Sequence, residues 1–234
     1  MKNKIYYNNS IKEGYYDSIF KKKRGVQSAW HHIKFKYIKN KIHKSKLHLD
    51  IGCGPGTFLG FLNKKSIGVD IANNQINYAK KNYLSSKLTF LTYKNRLPLK
   101  SQSVDSISLI ELIEHLSEKN LSYLLNECRR VLKKNGYIVL STPNYYSLWP
   151  IIEIILNIVS PINYNHQHIN KFNKKKLLKF IKKKGFKISE LNTFIFFSPF
   201  LAFISFKLAL YMLKFDNFFT KFLPGFLLFL KAKK

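Results

Sequence analysis

The stretch LDIGCGPG, residues 49–56, decides how this chain folds. An apolar run expected to be a strand ends at Asp50, glycines stand at alternate positions 52, 54 and 56, and a helix is expected to begin near Thr57. Glycine is needed where a backbone turns sharply and must approach a ligand without a Cβ in the way. Asp70 closes the next apolar run, SIGVD (66–70). In a doubly wound sheet, a carboxylate at that strand end accepts hydrogen bonds from the ribose hydroxyls of a nucleoside cofactor. The topological switch point brings it to the same crevice as the glycine loop.

The pattern extends outward from this loop. KLHLDIG (46–52), SIGVD, LTFLT (88–92), VDSISLIE (104–111) and YIVLST (137–142) are predicted strands. Between them GTFLGFLNK (56–64), NNQINYAKKNY (73–83) and a segment over roughly 117–133 are predicted helices, the last closed by Asn135-Gly136. Strands and helices alternating at this spacing specify an α/β fold. The expected core is a Rossmann-like, doubly wound sheet.

Upstream, SAWHHIKFKYIKNKI (28–42) puts Trp30, Ile33, Tyr37, Ile38 and Ile42 on one helical face. Residues 1–46 therefore read as a basic N-terminal helical segment, and 47–234 as the main domain. Downstream come the apolar stretch 145–162, interrupted by Pro150 and Glu153, a lysine-rich helix at 173–184, and a strand at 186–197. An apolar helical insertion over about 199–222 is stopped by Pro224-Gly225, and FLLFLKAKK (226–234) closes the chain as a last strand.

Composition excludes several classes. A 234-residue chain that is 46% hydrophobic and 15% aromatic buries a sizeable core and is neither disordered nor collagen-like. Two cysteines build no disulfide framework, and MKNKIYYNNS holds no apolar run of a signal peptide, so a reducing, cytoplasmic setting is expected. The formal charge is +29, yet 37 of the 41 basic residues are lysine, a drift that raises charge whatever the function. Residues 50–127 hold nine basic and seven acidic side chains, whereas the flanks 1–49 and 128–234 carry +11 and +16. Basic flanks of this kind favour anionic partners, nucleic acid or an acidic membrane surface.

The glycine spacing is G-x-G-x-G, distinct from the G-x-G-x-x-G that cradles a dinucleotide pyrophosphate. With Asp50 it resembles motif I of the class I S-adenosylmethionine-dependent methyltransferases. LPLKSQSVDSISLIELIEHL (97–116), CRRVLKKNGYIVLSTPN (128–144) and HINKFNKKKLLKFIKKKGFKI (168–188) are similar to the fourth-strand, fifth-strand and pre-sixth-strand regions of small-molecule members. The resemblance covers most of residues 47–188. It implies seven strands, mostly parallel with the last antiparallel, and S-adenosylmethionine as cofactor. Asp50, Gly52, Gly54 and Gly56 would surround the methionine moiety, Asp70 would hold the ribose, and Ile71 would pack on adenine. One departure is that Tyr93-Lys94-Asn95 stands where many relatives carry an aspartate for the adenine amino group.

Methyl transfer from a sulfonium needs mainly alignment, and a base only where the acceptor must lose a proton. Candidates are Glu111, Glu114, His115, His166 and His168, with Glu111 and His115 singled out as catalytic. Three readings of the Glu111, Glu114 and His115 cluster stay open: a helix start that Glu114 caps with His115 packed, His115 or Glu111 as a base or orienting group, or a divalent metal held by Glu111, Glu114, His115 and His168. The third is similar to that of metal-assisted small-RNA and quinone O-methyltransferases. His31, His32, His43 and His48 are expected at the surface, and Cys53 as a small filler.

The acceptor expected from these features is a small or lipid-linked molecule, with an RNA methyltransferase using the basic flanks as the alternative. Lys207, Lys214 and Lys221 recur every seven residues, so on one helix they form a stripe suited to peripheral contact with an anionic membrane.

Overall fold

The computed structural model describes residues 11–42, 45–159 and 168–234. His43 and His166 lie outside these described residues. A seven-stranded sheet runs through the centre: β1 (His48–Ile51), β2 (Ser66–Asp70), β3 (Leu88–Thr92), β4 (Val104–Ile110), β5 (Leu132–Pro143), β6 (Lys187–Phe194) and β7 (Leu227–Lys233). Its order is β3-β2-β1-β4-β5-β7-β6. The first five strands pair in parallel, and β7 enters antiparallel to both β5 and β6. The seven-stranded, mostly parallel architecture with an antiparallel last strand is thus present.

Helices cover both faces because each carries one apolar stripe. On one face α2 (Gly25–Lys39), α3 (Thr57–Leu62) and α4 (Asn73–Tyr83) bury Ile33, Ile38, Leu59, Ile76 and Ala79 against Phe90 and Phe229 of the sheet. On the other, α5 (Glu118–Val131) and α7 (Lys174–Lys183) bury Leu121, Leu125, Leu177 and Ile181 against Leu49, Ile107 and Leu109. The N-terminal α1 (Tyr15–Lys22) is pinned by its buried Asp17, which accepts hydrogen bonds from Thr57 Oγ1 and Tyr78 OH at 2.9 Å each and from Tyr83 OH, and pairs with Lys21. Burial alone would raise this carboxyl, but Lys21 and the hydroxyl donors outweigh it and hold it below its usual range.

The apolar insertion differs from a single long helix. It breaks into a 3-10 turn (Ser198–Phe203), α8 (Phe206–Tyr211) and α9 (Leu213–Phe219). Asp216, fully buried on α9, is the reason: its carboxylate accepts from the amides of Phe196, Phe197 and Ser198 and from the Ser198 hydroxyl, folding the segment back on itself. Lys207 stands on α8, Lys214 on α9 and Lys221 beyond it, so the three lysines are not one helical stripe. The remaining helix, α6 (Trp149–Val159), follows β5.

Candidate functional site

A cavity of about 1050 Å³ opens above the carboxyl ends of β1, β2 and β4. Its floor at one end is the glycine loop. Gly52, Gly54 and Gly56 all have positive φ, at 74°, 50° and 80°. A Cβ on Gly54 would meet nothing within 4 Å, so the bare backbone there faces open space at the cavity wall. A Cβ on Gly56 would sit 2.9 Å from the Phe90 ring, which explains glycine at that position by packing as well as by φ.

Both sequence-predicted carboxylates reach this end. Asp70 Oδ2 accepts the Gly54 amide at 2.8 Å and Oδ1 the Ala72 amide at 2.9 Å, which fixes the loop while leaving a lone pair on each oxygen for a ligand. Burial raises the Asp70 carboxyl, opposed by these amides. Asp50 is buried and accepts from Ser108 Oγ across the β1–β4 pairing. Burial pushes it up to about 7, with Ser108 opposing and Asp70 adding. Ile71, Tyr93, Lys94 and Asn95 complete the wall. The open backbone at Gly54, the paired carboxylates and the apolar Ile71 fit a nucleoside joined to a cationic amino acid.

At the other end the structure brings Glu111, Glu114, His115 and His168 to the same cavity. The segment 168–170 is tied there by Asn170, whose amide donates to the Glu114 carbonyl at 2.9 Å and whose side chain donates to the Leu116 carbonyl. The His115 and His168 rings lie 5.1 Å apart. One ligand atom each from Glu114, His115 and His168 falls within 4.8 Å of the others, a donor set that would suit a divalent cation. Glu114 is buried; its Oε2 accepts from Thr142 Oγ1 at 2.9 Å, whereas Oε1 has no partner among the described residues. Burial pushes Glu114 up to about 7, with His168 opposing. Glu111 takes a left-handed backbone (φ 48°) and is ion-paired with buried Lys34 of α2.

Sequence reasoning missed three contributors. Glu153 and Tyr145 orient His168: Nδ1 lies 2.6 Å from Glu153 Oε1, and Tyr145 OH donates to Glu153 Oε2 at 2.9 Å. The signal was Glu153 itself, a lone acid in an apolar run. Lys34 was hidden among the lysines of the N-terminal segment. The expected surface histidines are corrected as well. His48 is fully buried between Ser106 and Ser108, His31 lines the cavity, and His32 stacks on Phe20 at 3.8 Å. His31 and His32 are drawn inward because α2 of the N-terminal segment packs on the core, and His48 because it stands on β1 inside the sheet. Cys53 and Cys128 are free and buried.

Residues 49–140 match the family model for a methyltransferase domain. An uncharacterised protein of Methanocaldococcus jannaschii is 32% identical over 65% of this chain and 56% of its own length. A probable S-adenosylmethionine-dependent methyltransferase of Mycolicibacterium smegmatis is 26% identical over 61% of this chain and 52% of its own length. The chain thus spans about half the length of these curated relatives. Among solved structures, a SAM-dependent methyltransferase from Thermotoga maritima superposes with a TM-score of 0.66 at 18% identity, covering 99% of this chain and 97% of that one. The glycine loop and Asp70 stand where a nucleoside cofactor requires them, and residues 49–140, which hold both, are similar to a methyltransferase domain, with S-adenosylmethionine-dependent methyltransferases among the relatives and the structures of like fold.

Proposed function

We propose that the protein transfers a methyl group from S-adenosylmethionine to a hydroxyl-bearing small or lipid-linked acceptor. The observation that carries this is the continuity of the cavity, which runs from the Gly54 backbone and Asp70 to the Glu114, His115 and His168 group between apolar walls. Bound there, the cofactor supplies an electrophilic methyl carbon on a sulfonium.

The chain's own work is alignment and proton removal. Trp30, Phe35, Trp149, Ile152 and Leu156 give the acceptor an apolar berth. The imidazole of His115 or the carboxylate of Glu114 takes the proton that the acceptor hydroxyl gives up, and the bound cofactor would supply the methyl group and leave as its neutral thioether. His168, held by Glu153 and Tyr145, orients that pair. Glu111, occupied by Lys34, positions the turn that carries them. The same Glu114, His115 and His168 would hold a divalent cation, which would polarise the acceptor hydroxyl.

The test incubates the protein with methyl-labelled S-adenosylmethionine and separated cell fractions. Label should enter the apolar extract or the small-metabolite fraction. Asp70→Ala should weaken cofactor binding by roughly 1.5–3 kcal/mol, the scale of lost charge-assisted hydrogen bonds. Incorporation into RNA instead, which the basic flanks would favour, would overturn the acceptor class; absence of cofactor binding would overturn the reaction.

A further inference from the structure

The cavity has a rim unlike the rest of the surface. Ile155, Phe200 and Phe203 line the cavity and are also exposed, Phe203 to 83%. From there α6 presents Ile151, Ile154 and Ile158 to solvent. In the other direction, Ile204 is 79% and Phe222 74% exposed. Ring contacts connect Phe222 to Phe218 at 5.5 Å, Phe218 to Phe219 at 5.7 Å, and Phe219 through Phe196 and Phe226 to Phe200 at the rim. Exposed apolar side chains thus stand on both sides of the cavity mouth, linked behind it through the buried Phe226 ring, and a cluster of this kind marks an interaction surface.

Its charges are of one sign. Residues 198–224 hold two kinds of ionisable carboxylate or ammonium group: exposed Lys207, Lys214 and Lys221, and Asp216, which is buried and spent on backbone amides. On α6 the single acid, Glu153, is buried against His168. A surface of aromatic and aliphatic side chains carrying ammonium groups and no exposed carboxylate complements acyl chains beneath anionic headgroups. The same lysines would repel one another across a pairing of two copies by this face, and the +29 net charge adds to that repulsion.

We propose that the face formed by α6 and residues 198–223 docks on an anionic lipid bilayer, and that the acceptor is a membrane lipid or lipid-linked molecule entering the cavity from it. This rests on the methyltransferase reading above and narrows its acceptor. Among the described residues no helix is long and apolar enough to cross a membrane, so contact is with one leaflet.

The test is co-sedimentation of the full chain with vesicles of phosphatidylcholine alone and of equal parts phosphatidylcholine and phosphatidylglycerol. S-adenosylhomocysteine binding is measured in parallel without lipid. The protein should sediment with the anionic vesicles and not the neutral ones. A Lys207→Glu/Lys214→Glu/Lys221→Glu variant should lose vesicle affinity by roughly 100-fold or more. An Ile204→Ser/Phe222→Ser variant, altered outside the cavity lining, should lose about tenfold or more while keeping its thermal transition and cofactor binding. Failure of the intact protein to sediment with anionic vesicles, or equal sedimentation of the charge-reversed variant, would overturn the docking. So would a wild-type dimer that the Ile204/Phe222 variant abolishes, which would make the face an interface between copies. Cofactor binding reports separately on the methyltransferase reading, so the two can fail independently.

Discussion

His48 and Asp50, two residues apart on β1, are joined through one hydroxyl: Ser108 Oγ lies 2.9 Å from His48 Nε2 and donates to Asp50 Oδ1. Ser106 Oγ lies 2.7 Å from His48 Nδ1. Residues i and i+2 share a sheet face, and the β1–β4 register sets Ser106 and Ser108 opposite His48 and Asp50. The polar ladder thus connects the sheet interior to a carboxylate of the cofactor end.

Burial acts on the two groups with opposite sign. It holds His48 down to about 3 from 6.5, with Lys64 adding, and Asp50 up to about 7 from 3.8. Between pH 3.8 and 6.5 the unfolded chain carries a proton on His48 that the folded one lacks, so this group costs stability as pH falls. Over the same window the folded chain keeps a proton on Asp50 that the unfolded one has lost, so that group adds stability as pH falls. The slopes, about 1.4 kcal/mol per pH unit each, cancel in the intact protein. Relative to wild type, His48→Gln should gain stability as pH drops across the window and Asp50→Asn should lose it. Urea unfolding at both ends of the window checks this, and parallel slopes for all three proteins would refute it.

Asp50 should also make cofactor binding pH-dependent. The ionised carboxylate favours the cationic methionine end, and it is lost as pH falls below about 7. Affinity for S-adenosylhomocysteine should therefore fall by up to about tenfold per pH unit below that value. Asp50→Asn should bind weakly at every pH with no such slope. Calorimetry between pH 5 and 8 separates these outcomes; an unchanged slope in the variant would assign the titration elsewhere.

The strands and the cofactor loop were legible because they rest on local rules. SIGVD and NNQINYAKKNY span the observed β2 and α4 residue for residue, since a short apolar run and a helical stripe are written in short windows. The 199–222 insertion was not legible as three pieces. Its break depends on Asp216 reaching amides some twenty residues earlier, a tertiary contact that no local pattern carries. His48 escaped for a related reason: its partners, Ser106 and Ser108, are supplied by a strand nearly sixty residues away. Composition set the N-terminal segment apart as a basic flank with surface histidines, whereas α2 buries Ile33 and Lys34 and walls the cavity.

The glycine loop makes a contrasting pair of predictions. Gly56→Ala places a Cβ 2.9 Å from Phe90 and 3.1 Å from the Ala79 Cβ at φ 80°, adding overpacking to left-handed strain. Stability should fall by about 2–4 kcal/mol. Gly54→Ala meets only the strain, because nothing lies within 4 Å of its Cβ. It should cost about 1–2 kcal/mol of stability. Its larger effect should be on ligand affinity, where the added methyl stands at the cavity wall. Thermal unfolding with and without S-adenosylhomocysteine measures both. The assignment of the loop fails if Gly54→Ala binds ligand as wild type does.

The chemistry end offers two outcomes that one set of variants can tell apart. Glu114 keeps a buried Oε1 without a described partner, His168 is fixed through Nδ1 by Glu153, and His115 lines the same cavity with its ring 5.1 Å from that of His168. If proton transfer to this group is the chain's contribution, His115→Gln or Glu114→Gln should lower kcat by about 100-fold or more while leaving cofactor affinity unchanged. Glu153→Gln should then lower kcat by a smaller factor, since it removes an orienting partner and no proton acceptor. Dialysis against a chelator should change nothing. If the three donors hold a divalent cation, chelation should abolish turnover and Mg²⁺ or Mn²⁺ should restore it. Direct titration of Mn²⁺ into the cofactor-free protein should then show a site that Glu114→Gln and His168→Gln each remove. Wild-type turnover in His115→Gln, Glu114→Gln and His168→Gln alike would leave the group a packing cluster and move the proton acceptor elsewhere in the cavity.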